Sequence, residues 1–191
     1  MKYLFVSGPH AVGKSYTMSR LSKDLNVALY DTGPIMREYH RKLAPDKSMG
    51  EWVTGLEQKH GNKITAFMLG KKLKDKIKQE NPEQVIIVGF RTLEGIFQLM
   101  DVMKSNDFGI FYVDGTMELL YENYNRRLET TTNQRKDTVK TFEEFQKYIN
   151  DYDNNPCVRY FFSDKILRKT IIDKVEDEVL KINFKAVEDN A

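Results

Sequence analysis

The segment that most constrains this chain is the eight-residue run GPHAVGKS at residues 8–15. It matches the spacing G-x-x-x-x-G-K-[ST] through Gly8, Gly13, Lys14 and Ser15. Glycines at those two positions let backbone N–H groups turn inward around an anion, and a helix that starts at the loop adds its positive end. The lysine reaches the β- and γ-phosphates of a nucleotide, and the final hydroxyl ligates Mg²⁺. The run therefore predicts a nucleotide-phosphate loop of the Walker A type.

The residues on either side of this phosphate loop provide the setting that it requires. Residues 2–7 (KYLFVS) form a short apolar run typical of a buried strand, and residues 14–25 carry apolar side chains at helical spacing. We therefore expect strand, loop and helix in that order. The expected ATP contacts are Gly8, His10, Ala11, Val12, Gly13, Lys14, Ser15 and Tyr16, with Ser15 as the metal ligand. For His10, a phosphate contact and a spectator role are both open.

The rest of the chain alternates short strands with helices. Further strands are predicted at residues 26–30, 84–88, 108–113 and 169–172, and helices at 92–103, 117–128, 141–152, 160–165 and 175–182. Because the run QVIIV at 84–88 shows no alternation, both of its faces are expected to be buried. This order predicts an α/β fold in three layers (α/β/α) with a five-stranded parallel sheet, forming one domain over residues 1–191.

Two further segments interrupt this alternation. The helical pattern from residue 35 to about residue 80 is longer than one crossover helix needs, so residues 33–80 are predicted to form an inserted helical lobe that binds the acceptor. Residues 128–138 are polar and rich in threonine, which predicts a short lid. The aromatic residues of the chain are interpreted mainly as core, among them Phe67, Phe90 and Phe97. For Trp52, packing and ligand contact are both open.

Composition excludes several classes of function. The 30 basic and 28 acidic residues give a net charge of +2, which makes no strong case for a nucleic-acid or membrane partner. The single cysteine, Cys157, excludes an intramolecular disulfide, and the three histidines lack metal-ligand spacing. No apolar run approaches the roughly 18 residues of a membrane span, and no secretion signal is seen. We therefore expect a soluble, cytoplasmic protein; its oligomeric state stays open.

A phosphate loop by itself does not separate a kinase from a GTPase or a motor ATPase. GTPases carry a base-reading N/T-K-x-D element, and this chain has none. Motor ATPases carry a strand that ends in an acidic residue, whereas the clearest strand here ends at Val88 and Gly89. The choice of class therefore depends on the other segments of the chain.

Several segments resemble, in chain order, the adenylate kinase-like nucleoside monophosphate kinases. Residues 31–37 (DTGPIMR) resemble the T-G-D-[ML]-[LM]-R segment, and residues 89–93 (GFRTL) resemble D-G-F-P-R-T-L without its proline. Residues 114–127 resemble the strand and the arginine-bearing helix that lead into the lid, and residues 135–137 (RKD) resemble the R-x-D-D segment after it. The resemblance covers the whole chain and is weakest near the C-terminus.

This resemblance implies a P-loop kinase fold, ATP and Mg²⁺ as cofactors, and a set of site residues. Phosphoryl transfer needs cations from several segments, because two anionic substrates must be held in line. Arg37 and Arg91 would hold the acceptor phosphate, and Arg127 with Arg126 and Lys14 would neutralise the migrating phosphoryl group. The predicted acceptor-binding residues are Thr32, Gly33, Arg37, Gly89, Phe90 and Arg91. The predicted function is ATP-dependent transfer of the γ-phosphoryl group to a nucleotide or nucleotide-like acceptor.

Three departures from the family pattern keep other acceptors open. Val88 stands where the family has an aspartate, Pro34 replaces the aspartate of T-G-D, and Gly95 stands where a glutamine reads the adenine of AMP. Asp31 is a candidate for the missing acid, for a base toward a hydroxyl acceptor, or for a helix cap. One alternative is a kinase of dephospho-coenzyme A or of a modified base such as a hydroxymethyl pyrimidine, free or in DNA. Another is a non-catalytic, nucleotide-binding regulatory module.

Overall fold

The computed structural model describes residues 2–90, 93–105, 107–130, 141–153 and 166–172. The strands are β1 (Tyr3–Ser7), β2 (Ala28–Asp31), β3 (Val85–Val88), β4 (Phe108–Gly115) and β5 (Ile166–Ile172). The helices are α1 (Lys14–Leu25), α2 (Thr32–Leu43), α3 (Met49–His60), α4 (Ile64–Glu80), α5 (Leu93–Met103), α6 (Met117–Thr130) and α7 (Phe142–Asp153).

The five strands form one parallel sheet in the order β2-β3-β1-β4-β5. The predicted α/β class with a five-stranded parallel sheet is therefore confirmed. All carboxyl ends of the strands lie at one edge, which is where open α/β sheets bind their ligands. The phosphate loop after β1, the start of α2 after β2 and Gly89 after β3 all lie at this edge.

Each face of the sheet has its own hydrophobic core, because side chains alternate along a strand. On one face, Tyr3 and Phe5 of β1 pack with residues of α4 and α5. On the other face, Leu4 and Val6 pack with residues of α1, α6 and α7. These two cores give the three-layer arrangement that the sequence predicts.

The observed boundaries correct several predicted ones. Strand β2 begins at Ala28 rather than at residue 26, and β5 begins at Ile166, three residues before its predicted start. Helix α6 continues to Thr130, so the first three residues of the predicted 128–138 lid are helical. The remainder of that lid, Cys157 and the predicted helices at 160–165 and 175–182 lie outside the described residues.

Helices α2, α3 and α4 lie between β2 and β3, as the lobe prediction requires. Trp52 of α3 is buried, and its ring centroid lies 5.4 Å from that of His40. Of the two interpretations of Trp52, packing is the one observed. The prediction that Phe67 is a core residue is wrong, since it is 57% exposed. The buried positions of α4 follow the helical spacing of Leu69, Leu73 and Ile77, and Phe67 lies off that stripe.

No helix among the described residues combines the length and the apolar character that crossing a membrane would need.

Candidate active site

The phosphate loop has the backbone that the sequence pattern predicts. Three of its residues adopt positive φ angles: Gly8 (145°), Ala11 (68°) and Gly13 (90°). At Gly8 space is also limiting, because a Cβ there would overlap the carbonyl oxygen of Val113 in β4. Two constraints therefore act on Gly8, whereas Gly13 is required for its backbone conformation alone.

Lys14 begins helix α1 and folds back over its own loop. Its Nζ donates hydrogen bonds of 2.7 Å to the carbonyl oxygens of Gly8 and Pro9. The ammonium group is thereby held at the loop, beside the N-terminus of α1. A positive charge together with a helix N-terminus favours the binding of phosphate at this point.

Ser15 and Asp31 join the phosphate loop to the end of β2. The Ser15 hydroxyl donates a 2.8 Å hydrogen bond to Oδ2 of Asp31. The other carboxylate oxygen, Oδ1, accepts a 2.8 Å hydrogen bond from the Gly33 backbone N–H and so caps helix α2. Of the roles considered for Asp31, the helix cap is therefore observed directly. In the sheet, Asp31 lies opposite Val88, the position that lacks the acid of the family pattern.

The start of α2 packs tightly against the end of β3. Gly89 has a φ of 110°, and a Cβ there would overlap the Thr32 hydroxyl. Thr32 itself is only 3% exposed. These contacts bring three of the predicted acceptor-side residues, Thr32, Gly33 and Gly89, to the edge of the sheet.

Arg37 lies one turn farther along α2 and folds back toward the start of that helix. A Cβ placed on Gly33 would lie 3.2 Å from Nη1 of Arg37.

Phe90, another predicted acceptor-side residue, is buried, with its ring 5.6 Å from that of Phe5 in an edge-to-face contact. An acceptor contact for Phe90 stays a prediction, and Arg91 lies outside the described residues.

Three of the remaining predicted residues lie on helices. Tyr16 and Arg126 are exposed, as is Arg127 in the last turn of α6. The convergence of the two arginines on the phosphate loop stays a prediction.

His10 is only 9% exposed, and its ring contacts Tyr124 of α6 with 6.1 Å between centroids. The sequence pattern contains no signal for Tyr124, because the two residues are far apart in the chain.

A comparison with known families agrees with this geometry. A family profile described as "AAA domain" matches residues 7–145, which include the phosphate loop, the inserted helices and most of the sheet. This chain belongs to the AAA domain family. Among curated proteins, no sequence matches it.

Solved structures show the fold of this AAA domain protein. It is similar to the shikimate kinase from Bacteroides thetaiotaomicron (17% identity, TM-score 0.56, 99% of this chain and 93% of that one). It is also similar to the shikimate kinase from Acinetobacter baumannii in complex with shikimate (14% identity, TM-score 0.52, 99% of this chain and 90% of that one). An uncharacterized protein from Eubacterium ventriosum is a third similar structure (12% identity, TM-score 0.53, 92% of this chain and 90% of that one). The predicted resemblance to P-loop kinases is thus confirmed at the level of family and fold.

Proposed function

We propose that this AAA domain protein is an ATP- and Mg²⁺-dependent kinase that phosphorylates a nucleotide or nucleotide-like acceptor. Its family and its fold neighbours support a phosphotransferase in general. The observation that carries the finer proposal is the hydrogen bond between Ser15 and Asp31. It links the phosphate loop, which would hold the donor, to the cap of the helix that bears Arg37.

The residues of the donor side fit ATP and its metal ion. The loop amides and Lys14 would hold the β- and γ-phosphates, with Gly8, Gly13 and Ala11 giving the loop its curvature. Bound Mg²⁺ supplies charge neutralisation on the phosphates. Ser15 would hold that ion, and Asp31 would provide the carboxylate that Val88 does not.

On the acceptor side, Arg37 is the described cation closest in sequence to the cap of α2. A guanidinium group binds a phosphate through paired N–H donors, so an acceptor with a terminal phosphate suits it. We infer the same role for Arg91 from its position after β3. A phosphate acceptor is already anionic and needs no base, which leaves Asp31 to serve the metal. Arg126 and Arg127 would then neutralise the migrating group.

A second candidate is a kinase that phosphorylates a hydroxyl group. Asp31 supports it, because a carboxylate beside the phosphate loop is suited to accept the proton of a hydroxyl acceptor. Two of the similar structures are shikimate kinases, and shikimate is a small hydroxylated acid. Dephospho-coenzyme A and hydroxymethyl pyrimidines, free or in DNA, belong to the same class of acceptor.

The test is a screen of ATP consumption in the presence of Mg²⁺. The compounds are nucleoside monophosphates, shikimate, dephospho-coenzyme A and DNA with hydroxymethyl pyrimidines. We expect turnover with at least one nucleoside monophosphate, and a loss of about 10²-fold or more in Lys14→Ala, since a charge aimed at the transferred group is removed. Lys23→Ala, on the exposed last turn of the same helix, is the matched control.

Three results would change the proposal. Turnover that survives Lys14→Ala would contradict the mechanism. Turnover only with hydroxyl compounds would favour the second candidate, and ATP binding without turnover would favour a regulatory module. Arg37→Ala separates the acceptor types further, because it should raise KM for a phosphate acceptor about tenfold while Arg41→Ala, one turn later, should not.

A further inference from the structure

The His10 side chain, inside the phosphate loop, is buried against helix α6 instead of extending into solvent. Its ring and that of Tyr124 meet at 66°, with 6.1 Å between centroids. This is the edge-to-face geometry that aromatic rings favour. The loop predicted to hold the donor phosphates therefore has a side-chain contact with a helix that lies far away in sequence.

The contact continues from Tyr124 into helix α7. The rings of Tyr124 and Phe145 lie 5.2 Å apart, and Tyr121 lies 5.4 Å from Phe145 and 5.3 Å from Phe142. Phe145 is fully buried in the core on this face of the sheet. Tyr124 thus lies between the phosphate loop and the buried core around Phe145.

Helix α6 carries its two arginines close to this contact. Tyr124 is 5% exposed, whereas Arg126 and Arg127, within one helical turn of it, are exposed. Thr116 directly precedes the helix, and its hydroxyl accepts a hydrogen bond from the Leu119 N–H. Its N-terminus is therefore capped, and toward its C-terminus Tyr124 contacts His10 of the phosphate loop.

We propose that His10 and Tyr124 are positioning residues, whose ring contact sets the distance between the phosphate loop and the arginine-bearing end of α6. This inference depends on the proposed function, because it gives Arg127 the role of neutralising the migrating phosphoryl group. Transition-state stabilisation is sensitive to placement: a displacement of about 1 Å can cost on the order of 10²-fold in rate. His10 then acts through Arg127 and does not need to touch the phosphate.

A double-mutant cycle on kcat tests this coupling. His10→Ala should lower kcat about tenfold or more in the otherwise unchanged protein, with KM for ATP altered less than about threefold. In an Arg127→Ala background, the same substitution should change kcat by less than about twofold, because the residue through which it acts is gone. Rates are measured with the acceptor found by screening and also as ATP hydrolysis without acceptor.

Conservative variants separate ring packing from direct phosphate binding. His10→Phe keeps an aromatic ring but removes the N–H donors, and Tyr124→Phe keeps the ring of Tyr124. Both should retain kcat within about threefold, whereas Tyr124→Leu should behave like His10→Ala.

Two outcomes would overturn the inference alone. The first is additivity of His10→Ala and Arg127→Ala, and the second is a loss in His10→Phe as large as that in His10→Ala, which would indicate direct phosphate contact. In both cases Lys14-dependent turnover would persist, so the proposed function would stand. Absence of any Lys14-dependent ATP turnover in the unmodified protein would instead overturn the proposed function and this inference together.

Discussion

The two sides of the candidate site are built in different ways. On the donor side, the phosphate loop is enclosed by backbone: Gly8 presses against the Val113 carbonyl, and Lys14 bonds to two carbonyl oxygens of the same loop. On the acceptor side, the inserted helices are attached by side chains, including a salt bridge between Lys63 and Asp101 whose two partners are more than half exposed. Backbone contacts tolerate few substitutions, whereas exposed side-chain contacts are easily exchanged. The phosphate loop is therefore specified closely, whereas the exposed contacts of the lobe leave more room for substitution.

The two sides meet where Ser15 of the phosphate loop donates a hydrogen bond to Asp31 at the end of β2. In the sheet β3 separates β1 from β2, so this contact crosses the end of β3, where Val88 and Gly89 carry no polar side chain. The carboxylate of Asp31 on β2 is therefore beside the β3 position where the family pattern has its acid and this chain has Val88.

The largest effect is expected from Gly8→Ala on the donor side. The new Cβ would overlap the Val113 carbonyl oxygen, and the φ of 145° is strained for any other residue. We expect ATP binding to weaken on the order of 10²-fold, because a displaced loop loses backbone hydrogen bonds to the phosphates, each worth about 1.5–3 kcal/mol. Calorimetric titration with ATP measures this.

Gly61→Ala is the control for backbone strain alone, because Gly61 has a φ of 88° and open space around it. That variant should lose about 1–3 kcal/mol of stability, because its backbone conformation is essentially restricted to glycine, and keep its ATP affinity. Equal ATP affinity in the Gly8→Ala and unmodified proteins would contradict the contrast between the two sides.

The next largest effect is expected at Asp31, where the phosphate loop meets the start of α2. Asn caps helices as well as Asp does, so Asp31→Asn should retain the free energy of unfolding within about 0.5 kcal/mol. The loss of negative charge beside Ser15 should nevertheless lower kcat about 10²-fold, if Asp31 serves the metal ion. Steady-state kinetics over a range of Mg²⁺ concentrations, with denaturant unfolding, measures both quantities.

Asp31→Ala is the matched variant that removes the cap as well, and it should cost about 1 kcal/mol of stability. Full activity in Asp31→Asn would assign the residue to helix capping only and would leave the donor and acceptor sides uncoupled at this point.

These differences also explain how much could be predicted from the sequence. The phosphate loop and its flanking strand and helix were predictable because their residues are adjacent and their spacing is dictated by chemistry. The strand and helix order was likewise predictable from local periodicity. The Ser15–Asp31 bond depends on the strand order, and the His10–Tyr124 contact joins the first loop to the sixth helix, so no local pattern encodes either. Phe67 was misassigned because its hydrophobicity was considered without the orientation of α4.

A smaller effect is expected where helix α4 of the lobe packs against helix α5, at Gly70. A Cβ there would lie 2.7 Å from Cγ1 of Val102 and 3.2 Å from Cδ1 of Leu99 in α5. Gly70→Ala should therefore destabilise the protein by about 1–3 kcal/mol through overpacking. Gly55→Ala, with no atom within 4 Å, should be neutral or stabilise by up to about 1 kcal/mol. Denaturant unfolding of the two variants compares them, and equal stabilities would contradict close α4–α5 packing.

The smallest effect is expected at the surface contact between Lys63 and Asp101. The hydrogen bond and charge of Lys63 lower the pKa of Asp101 below its ordinary value. A lowered folded-state pKa means that the contact contributes stability above the ordinary aspartate pKa and loses it as pH falls through the folded value. Lys63→Ala should raise the Asp101 pKa toward its ordinary value, which NMR titration of the carboxyl carbon measures. Because both partners are exposed, salt should screen the contact, and stability at neutral pH should hardly change. A large loss of stability at neutral pH would show that the lobe is held more rigidly than its exposed contacts indicate.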